Sequence, residues 1–184
     1  MIIQTERLQL QPLKLSDAPD VQRLAGDRDV ASTTLSIEHP YEDGMAEKWI
    51  RSSNRKVAAG GLIAFAITLL AGGSFLGTIN LHLDYAVKRG ELSYWIGKPY
   101  WNQGYATEAV GSVLDHAFRT LKLDRVYAAH FTRNPSSGRV MEKAGMLYEG
   151  SQLGPTLKWG VMENLELYGA AREQFEVRGS IISP

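Results

Sequence analysis

Residues 92–121 restrict the fold of this chain more than any other segment. The first of them alternate apolar and polar (Leu92, Tyr94, Ile96), the period of a strand with one buried face. A polar loop follows and closes on Gly104-Tyr105-Ala106. Ala106, Ala109, Val110, Val113, Leu114, Ala117, Phe118 and Leu121 then recur at spacings of three and one, the single apolar stripe of an amphipathic helix. A strand feeding straight into such a helix implies a sheet with the helix packed on its face. At the junction, the free amides of the first helical turn carry a partial positive charge, and small residues let a ligand come close. The corner reads as a holder for a phosphorylated ligand.

The flanking segments extend this layered pattern. Residues 8–13 alternate as a strand, and Ser16-Asp17 offer capping side chains for a helix through about Ala25. Residues 27–40 read as irregular, and a second helix is expected from Tyr41 to about Val57. No Asp, Glu, Lys or Arg occurs between Val57 and Leu83, yet Gly60-Gly61, Gly72-Gly73-Ser74, Asn80 and His82 break that run. It is therefore two buried strands (62–70 and 75–83) joined as a hairpin, not a membrane span of about 20 residues. Residues 91–96 add a third antiparallel neighbour, and 125–131 read as another strand. Asn134-Pro135 then start a short helix that ends at Gly145, and strands at 146–153 and 161–168 close the chain. The order predicts an α/β (α+β) fold in one domain over residues 1–184, a mixed sheet of about seven strands with helices on both faces.

Charge and composition narrow the function classes. Twenty basic and twenty acidic residues cancel, which argues against a nucleic-acid partner. With no cysteine, thiolate nucleophiles, disulfides and cysteine metal sites are excluded, in keeping with a cytoplasmic protein. The start Met1-Ile-Ile-Gln-Thr-Glu-Arg7 lacks the basic head and apolar core of a signal peptide. His39, His116 and His130 show no metal-ligand spacing, and the expected metal content is none.

Two motifs carry chemistry. Backbone N–H groups of Asn102, Gln103, Gly104, Tyr105, Ala106 and Thr107 can converge on a diphosphate, although neither a Walker loop nor Gly-x-Gly-x-x-Gly is present. The second motif is Asn134-Pro-Ser-Ser-Gly-Arg-Val-Met-Glu-Lys-Ala-Gly-Met146, in which Asn134 and Ser137 serve either as cap and first-turn residues or as ligand contacts. Taken with Thr5-Glu-Arg-Leu8, Tyr94-Trp-Ile-Gly97 and Tyr100-Trp-Asn-Gln-Gly-Tyr-Ala-Thr-Glu-Ala109, these stretches resemble the GNAT superfamily of N-acetyltransferases, in its RimJ/RimL-like branch. The resemblance covers residues 3–168, with two departures: Trp101 stands where many members carry Arg or Gln, and Met146 where Phe is usual.

That resemblance implies a GNAT fold whose central parallel strands part to admit acetyl-CoA. Backbone at Tyr94, Trp95 and Ile96 would pair with the pantetheine arm, and residues 102–107 would hold the diphosphate. Asn134 would bond the pantetheine, and Ser137 would return a proton to the leaving thiolate. For a base, the candidates are Glu91, Glu163 or Glu166, with His82 beside them; Glu108, in a first helical turn, reads as structural. Tyr41, Trp49 and Trp159 are expected around the acceptor amine, which is a protein N-terminal α-amine or a small-molecule amine. The alternative is a non-catalytic acyl-CoA-binding or sensor module. No nucleic-acid or membrane partner is expected, and the protein would be a monomer or homodimer.

Overall fold

The computed structural model describes residues 1–175. Two short strands, β1 (Ile3–Gln4) and β2 (Leu8–Pro12), lead through one 3-10 turn into α1 (Ala18–Ala25), α2 (Arg28–Ser32) and α3 (Met45–Ala58). An antiparallel meander follows: β3 (Leu62–Leu69), β4 (Phe75–Asp84) and β5 (Arg89–Ile96). Beyond it come α4 (Tyr105–Arg119), β6 (Arg125–Phe131), α5 (Pro135–Lys143) and a long hairpin, β7 (Leu147–Lys158) and β8 (Val161–Ala171). All strands join one 8-stranded sheet in the order β1-β2-β3-β4-β5-β6-β8-β7.

The expected mixed sheet with helices on both faces is what forms, with one strand more than the sequence pattern announces. The extra strand is β1, whose Ile3 pairs with Leu10 of β2. On one face, α4 buries Ala109, Val110, Val113, Leu114, Ala117 and Phe118 against Leu8, Ile67, Leu81 and Val126. Each large side chain of that stripe contributes about 1.5–3 kcal/mol by leaving water. On the other face, Val21 and Leu24 of α1, Val30 of α2 and Ile50 of α3 pack with Phe75 and Trp95. The charge-free stretch is the β3–β4 hairpin, turned by Gly72 and Gly73 at φ +84 and +69. No helix among the described residues is long and apolar enough to cross a membrane.

Three local expectations need correcting. Residues 27–40 are not wholly irregular, because the Asp27 carboxylate accepts the N–H groups of Asp29 (2.8 Å) and Val30 (3.4 Å) and starts α2. Asp17 does not cap α1; its carboxylate accepts the Lys14 N–H at 2.8 Å. The helix expected from Tyr41 starts only at Met45, after Gly44 turns the chain at φ +84.

One feature of the sheet positions the site. Strands β5 and β6 run parallel but pair only at Arg89 with Arg125, Gly90 with Val126 and Glu91 with Tyr127. From Leu92 and Ala128 onward they part. Strand β5 stays on β4 and β6 stays on β8, so a gap opens through the sheet between two intact halves.

Candidate active site

Two cavities, of about 350 and 390 Å³, occupy this gap. The first is lined from α3 (Trp49, Ser53, Lys56), from the chain after α2, and from Asn80, His82 and Ser93 on the sheet. The second lies over the β5–α4 junction and the start of α5. Thr33, Thr34, Tyr94, Trp95 and Ser137 belong to both linings, so the cavities meet where the strands part.

The loop before α4 is shaped as an anion cradle. Asn102 and Gly104 have φ of +59 and +80, which alternates the chain direction and turns successive N–H groups inward. Among the described residues, no protein acceptor receives the N–H groups of residues 102–107, as expected for a helix start with no side-chain cap. A Cβ on Gly104 would stand 3.2 Å from Arg7 Nη2. Asn102, Gly104, Tyr105, Ala106 and Thr107 line the second cavity. Gln103 does not: its side-chain Nε2 donates to Pro99 O at 3.1 Å, and its backbone carbonyl accepts from Arg7 Nη1 at 2.9 Å.

Arg7 braces the cradle from behind. Its Nε lies 2.7 Å from Glu108 Oε2, while Glu108 Oε1 accepts the Arg7 N–H at 2.8 Å and the Thr5 hydroxyl at 2.5 Å. Burial pushes the Glu108 carboxyl up, but the Thr5 and Arg7 hydrogen bonds outweigh it and hold the group below its ordinary value. This matches a structural part for Glu108. The Thr5-Glu-Arg-Leu8 stretch thereby gains a physical role that its sequence does not disclose.

The edge of β5 that faces the gap has a defined phase. Gly97 donates its N–H to Leu76 O at 2.7 Å, which makes Ile96–Gly77 a non-hydrogen-bonded pair of the β4–β5 ladder. By alternation, Trp95 and Ser93 bond to β4, whereas Leu92, Tyr94 and Ile96 turn their N–H and C=O groups toward the gap. The expectation for Trp95 is therefore corrected: its backbone is committed to Thr78, and its ring packs on Phe75 with centroids 6.1 Å apart. Ile96 O is also taken, by Trp101 Nε1 at 2.6 Å.

Across the gap stands the start of α5. Asn134 precedes Pro135 at the first helical position, but its side chain makes no cap hydrogen bond, so its amide is available to the cavity it lines. The Ser137 hydroxyl meets the Tyr94 hydroxyl at 2.8 Å, and Tyr94 also reaches Ser137 O at 3.1 Å. Burial drives the Tyr94 phenol far above its ordinary value, with the Ser137 hydrogen bond only partly opposing. Tyr94 is thus a proton-bearing donor at any working pH. Arg139 and Lys143 on α5 add positive charge to the same lining. Their (i, i+4) spacing on the helix after Asn134 puts both cations on one face, a pattern legible in the sequence.

Of the residues expected around the acceptor, Tyr41, Trp49 and His82 do line the first cavity. Trp159 lies outside it, packed instead against His39 (5.8 Å between centroids), Arg28 (5.9 Å) and its neighbour Lys158 (5.1 Å). Lys158 donates to Ile37 O, so the β7–β8 tip is fastened to the chain after α2. The proposed carboxylates are also outside the lining. Glu163 is ion-paired with Arg133 at 2.8 Å. Glu166 is held low by hydrogen bonds from Ser151, Thr132 and Tyr148. Glu91 faces His82 in the β4–β5 register, just beyond the cavity. Asn80 and His130 belong to no motif in the sequence, yet among the described residues their Oδ1 and Nε2 are buried without partners and both line the first cavity. Among the described residues no group of three His, Asp or Glu side chains is placed to hold a metal.

Residues 7–147 match the family model described as acetyltransferase (GNAT) domain. The Bacillus subtilis protein YdaF is 33% identical over 109 residues, 59% of this chain and 60% of that protein. The uncharacterized N-acetyltransferase p20 of Bacillus licheniformis is 28% identical over 148 residues, 79% of this chain and 82% of p20. In fold, the chain is similar to RimL, a ribosomal L7/L12 α-N-protein acetyltransferase solved with coenzyme A: TM-score 0.85, 15% identity, 93% of this chain and 98% of that one. The matched segment begins at the arginine that braces the cradle and contains β5, the cradle, α4 and α5; the chain belongs to the acetyltransferase (GNAT) domain family and is an N-acetyltransferase.

Proposed function

We propose that this protein moves the acetyl group of acetyl-CoA to a primary amine by direct attack, with both substrates held at once. The observation that carries the reading is the meeting of two cavities over Tyr94, Trp95 and Ser137. Bound acetyl-CoA supplies a thioester carbon for the amine and a thiolate leaving group. The diphosphate lies against the amides of Asn102 and Gly104–Thr107, and the outward groups of Tyr94 and the Asn134 amide hold the arm. The Tyr94 N–H, fixed in the strand, donates to the carbonyl oxygen as negative charge grows there, a preorganised contact that costs no reorganisation.

Proton movements balance the transfer. A thiolate resembling that of cysteine, with a pKa of about 8.5, takes its proton from the Ser137 hydroxyl, which regains one from the Tyr94 hydroxyl as Tyr94 takes one from solvent, so that no phenolate is left. The new N–C bond requires the amine to lose a proton. His82, in the acceptor lining, and Glu91 opposite it receive that proton through water. An α-amine of pKa about 8 is neutral far more often than a lysine amine of about 10.4, so it needs little help. Glu163 is assigned no step, because Arg133 engages it.

The test is free-thiol release from acetyl-CoA with a panel of amines, alongside calorimetry with coenzyme A. Turnover with at least one amine, and loss of binding in Gly104→Val, is the expected result. Binding without thiol release from any amine would favour the non-catalytic coenzyme A module instead.

A further inference from the structure

Resting on that reading, we propose that the acceptor is a small primary amine that also carries an oxyanion, a carboxylate or a phosphate, received by Lys56 at the mouth of the acceptor cavity. The charge of the lining points this way. Lys56, His82 and His130 line the cavity, and no Asp or Glu among the described residues does. Carboxylates stand around the cavity but outside its lining: Glu47 and Glu38 act on the Tyr41 phenol through space, Glu91 faces His82 across the β4–β5 ladder, and Glu166, held by Ser151, Thr132 and Tyr148, faces His130 across the β6–β8 ladder. The Lys56 ammonium has no ion-pair or hydrogen-bond partner among the described residues, whereas Lys98 is bound to Asp29 and Lys158 to Ile37 O.

The two ends of the cavity differ in kind. At the inner end, Asn80 presents a buried Oδ1 with no partner, and its cross-strand neighbour is Ser93, next to Tyr94. That acceptor suits the N–H of an incoming amine. At the outer end, Lys56 O accepts the Gly61 N–H at 3.1 Å, and the adjoining Leu62 pairs with His82, which places Lys56 beside the His82 row. Asn80 and His82 stand two positions apart on β4, with only Leu81 between them, about 7 Å along the sheet. This is the span of an extended dipeptide between its amine and its carboxylate. A polyamine of the same length would set a second ammonium against Lys56 with no carboxylate in the lining to receive it.

The experiment uses the full chain and four amines: glycylglycine, its neutral match glycylglycinamide, 3-aminopropyl phosphate and spermidine. Thiol release gives kcat/KM for each, and calorimetry on the protein–coenzyme A complex gives their affinities. We expect one or both anionic amines to exceed the amide and spermidine by about tenfold, the size of a charge-assisted hydrogen bond. The leading anion distinguishes carboxylate from phosphate. In Lys56→Gln that preference falls to near one, and in Lys56→Glu it inverts toward spermidine, while coenzyme A affinity holds. An amide or spermidine that matches the anionic amines, or a Lys56→Gln preference equal to wild type, overturns the proposal and leaves the acetyltransferase reading standing. Should no amine release thiol, that reading fails separately, and the calorimetric ranking alone decides for or against Lys56.

Discussion

The hydroxyls of Tyr94 and Ser137 lie 2.8 Å apart across the opening between β5 and α5, joining the two halves of the molecule at the point where both cavities meet. Burial keeps Tyr94 protonated, so a neutral phenol stands beside the Ser137 hydroxyl. Ser137→Ala is expected to lower kcat by about 100-fold, the low end for a positioned acid, with the acetyl-CoA KM changed less than threefold. Tyr94→Phe should lower kcat by about tenfold and steepen its dependence on pH, since Ser137 then refills from water. A steady-state kcat and KM series over pH separates these outcomes. Unchanged rates in Ser137→Ala would leave proton return to water.

A second prediction concerns Arg7 and Glu108, which hold the cradle from the far end of the sequence. Arg7→Ala removes the contacts to Gln103 O and Glu108 and should raise the acetyl-CoA KM by about tenfold at nearly constant kcat. The Glu108 carboxyl is held below its ordinary 4.5, so the ionised form is the one that folding favours. Its stabilisation is complete above that value and is lost as pH falls through the lower folded-state pKa. Wild type and Glu108→Gln should therefore differ in melting temperature at neutral pH and converge in acid. A gap that persists at low pH would remove the electrostatic explanation.

Asn134 offers a cleaner separation of binding from stability. Loss of a helix cap typically costs about 1 kcal/mol, but the Asn134 side chain caps nothing. Asn134→Ala should keep the wild-type melting temperature and lose about tenfold in coenzyme A affinity, the size of a hydrogen bond to the arm. A fall in stability without a fall in affinity would make Asn134 a structural residue. Calorimetry beside thermal unfolding reads both quantities from one sample.

How far these features were legible depends on how local their causes are. Strand β6 and helix α4 coincide with their sequence patterns because each reports burial through its own periodicity, as Phe118 and Val126 do in the core. Helix α2 was not legible: five residues carry too short a period, and the helix depends on the Asp27 cap and on burial of Val30 and Ala31. The turn into α4 was readable because Gly104 and the helix after it are adjacent in sequence. Its brace was not, since Arg7 and Glu108 are far apart in the chain. Trp95 shows the limit for the strand edge. Which backbone groups face the gap is fixed by the β4 register, and no pattern within β5 reveals it.

Trp159 provides the last test, because it lies outside the acceptor cavity and yet bears on its shape. Its ring packs on His39 and Arg28, and beside it Lys158 donates to Ile37 O. Burial and the nearby Arg133 push the Lys158 ammonium below its ordinary pKa, with Glu38 partly opposing, so this cation is held at a cost that the packed tip must offset. Without the ring, residues 33–37, which form part of the acceptor wall, lose their outer support. Trp159→Ala should therefore raise the acceptor KM by about tenfold, the loss of one to two well-placed ring contacts. The acetyl-CoA KM should rise less, within about threefold, because of residues 33–37 only Thr33 and Thr34 also line the second cavity. An equal rise in both KM values would show that the β7–β8 tip supports the whole gap, and equal values in mutant and wild type would show that residues 33–37 keep their place without it.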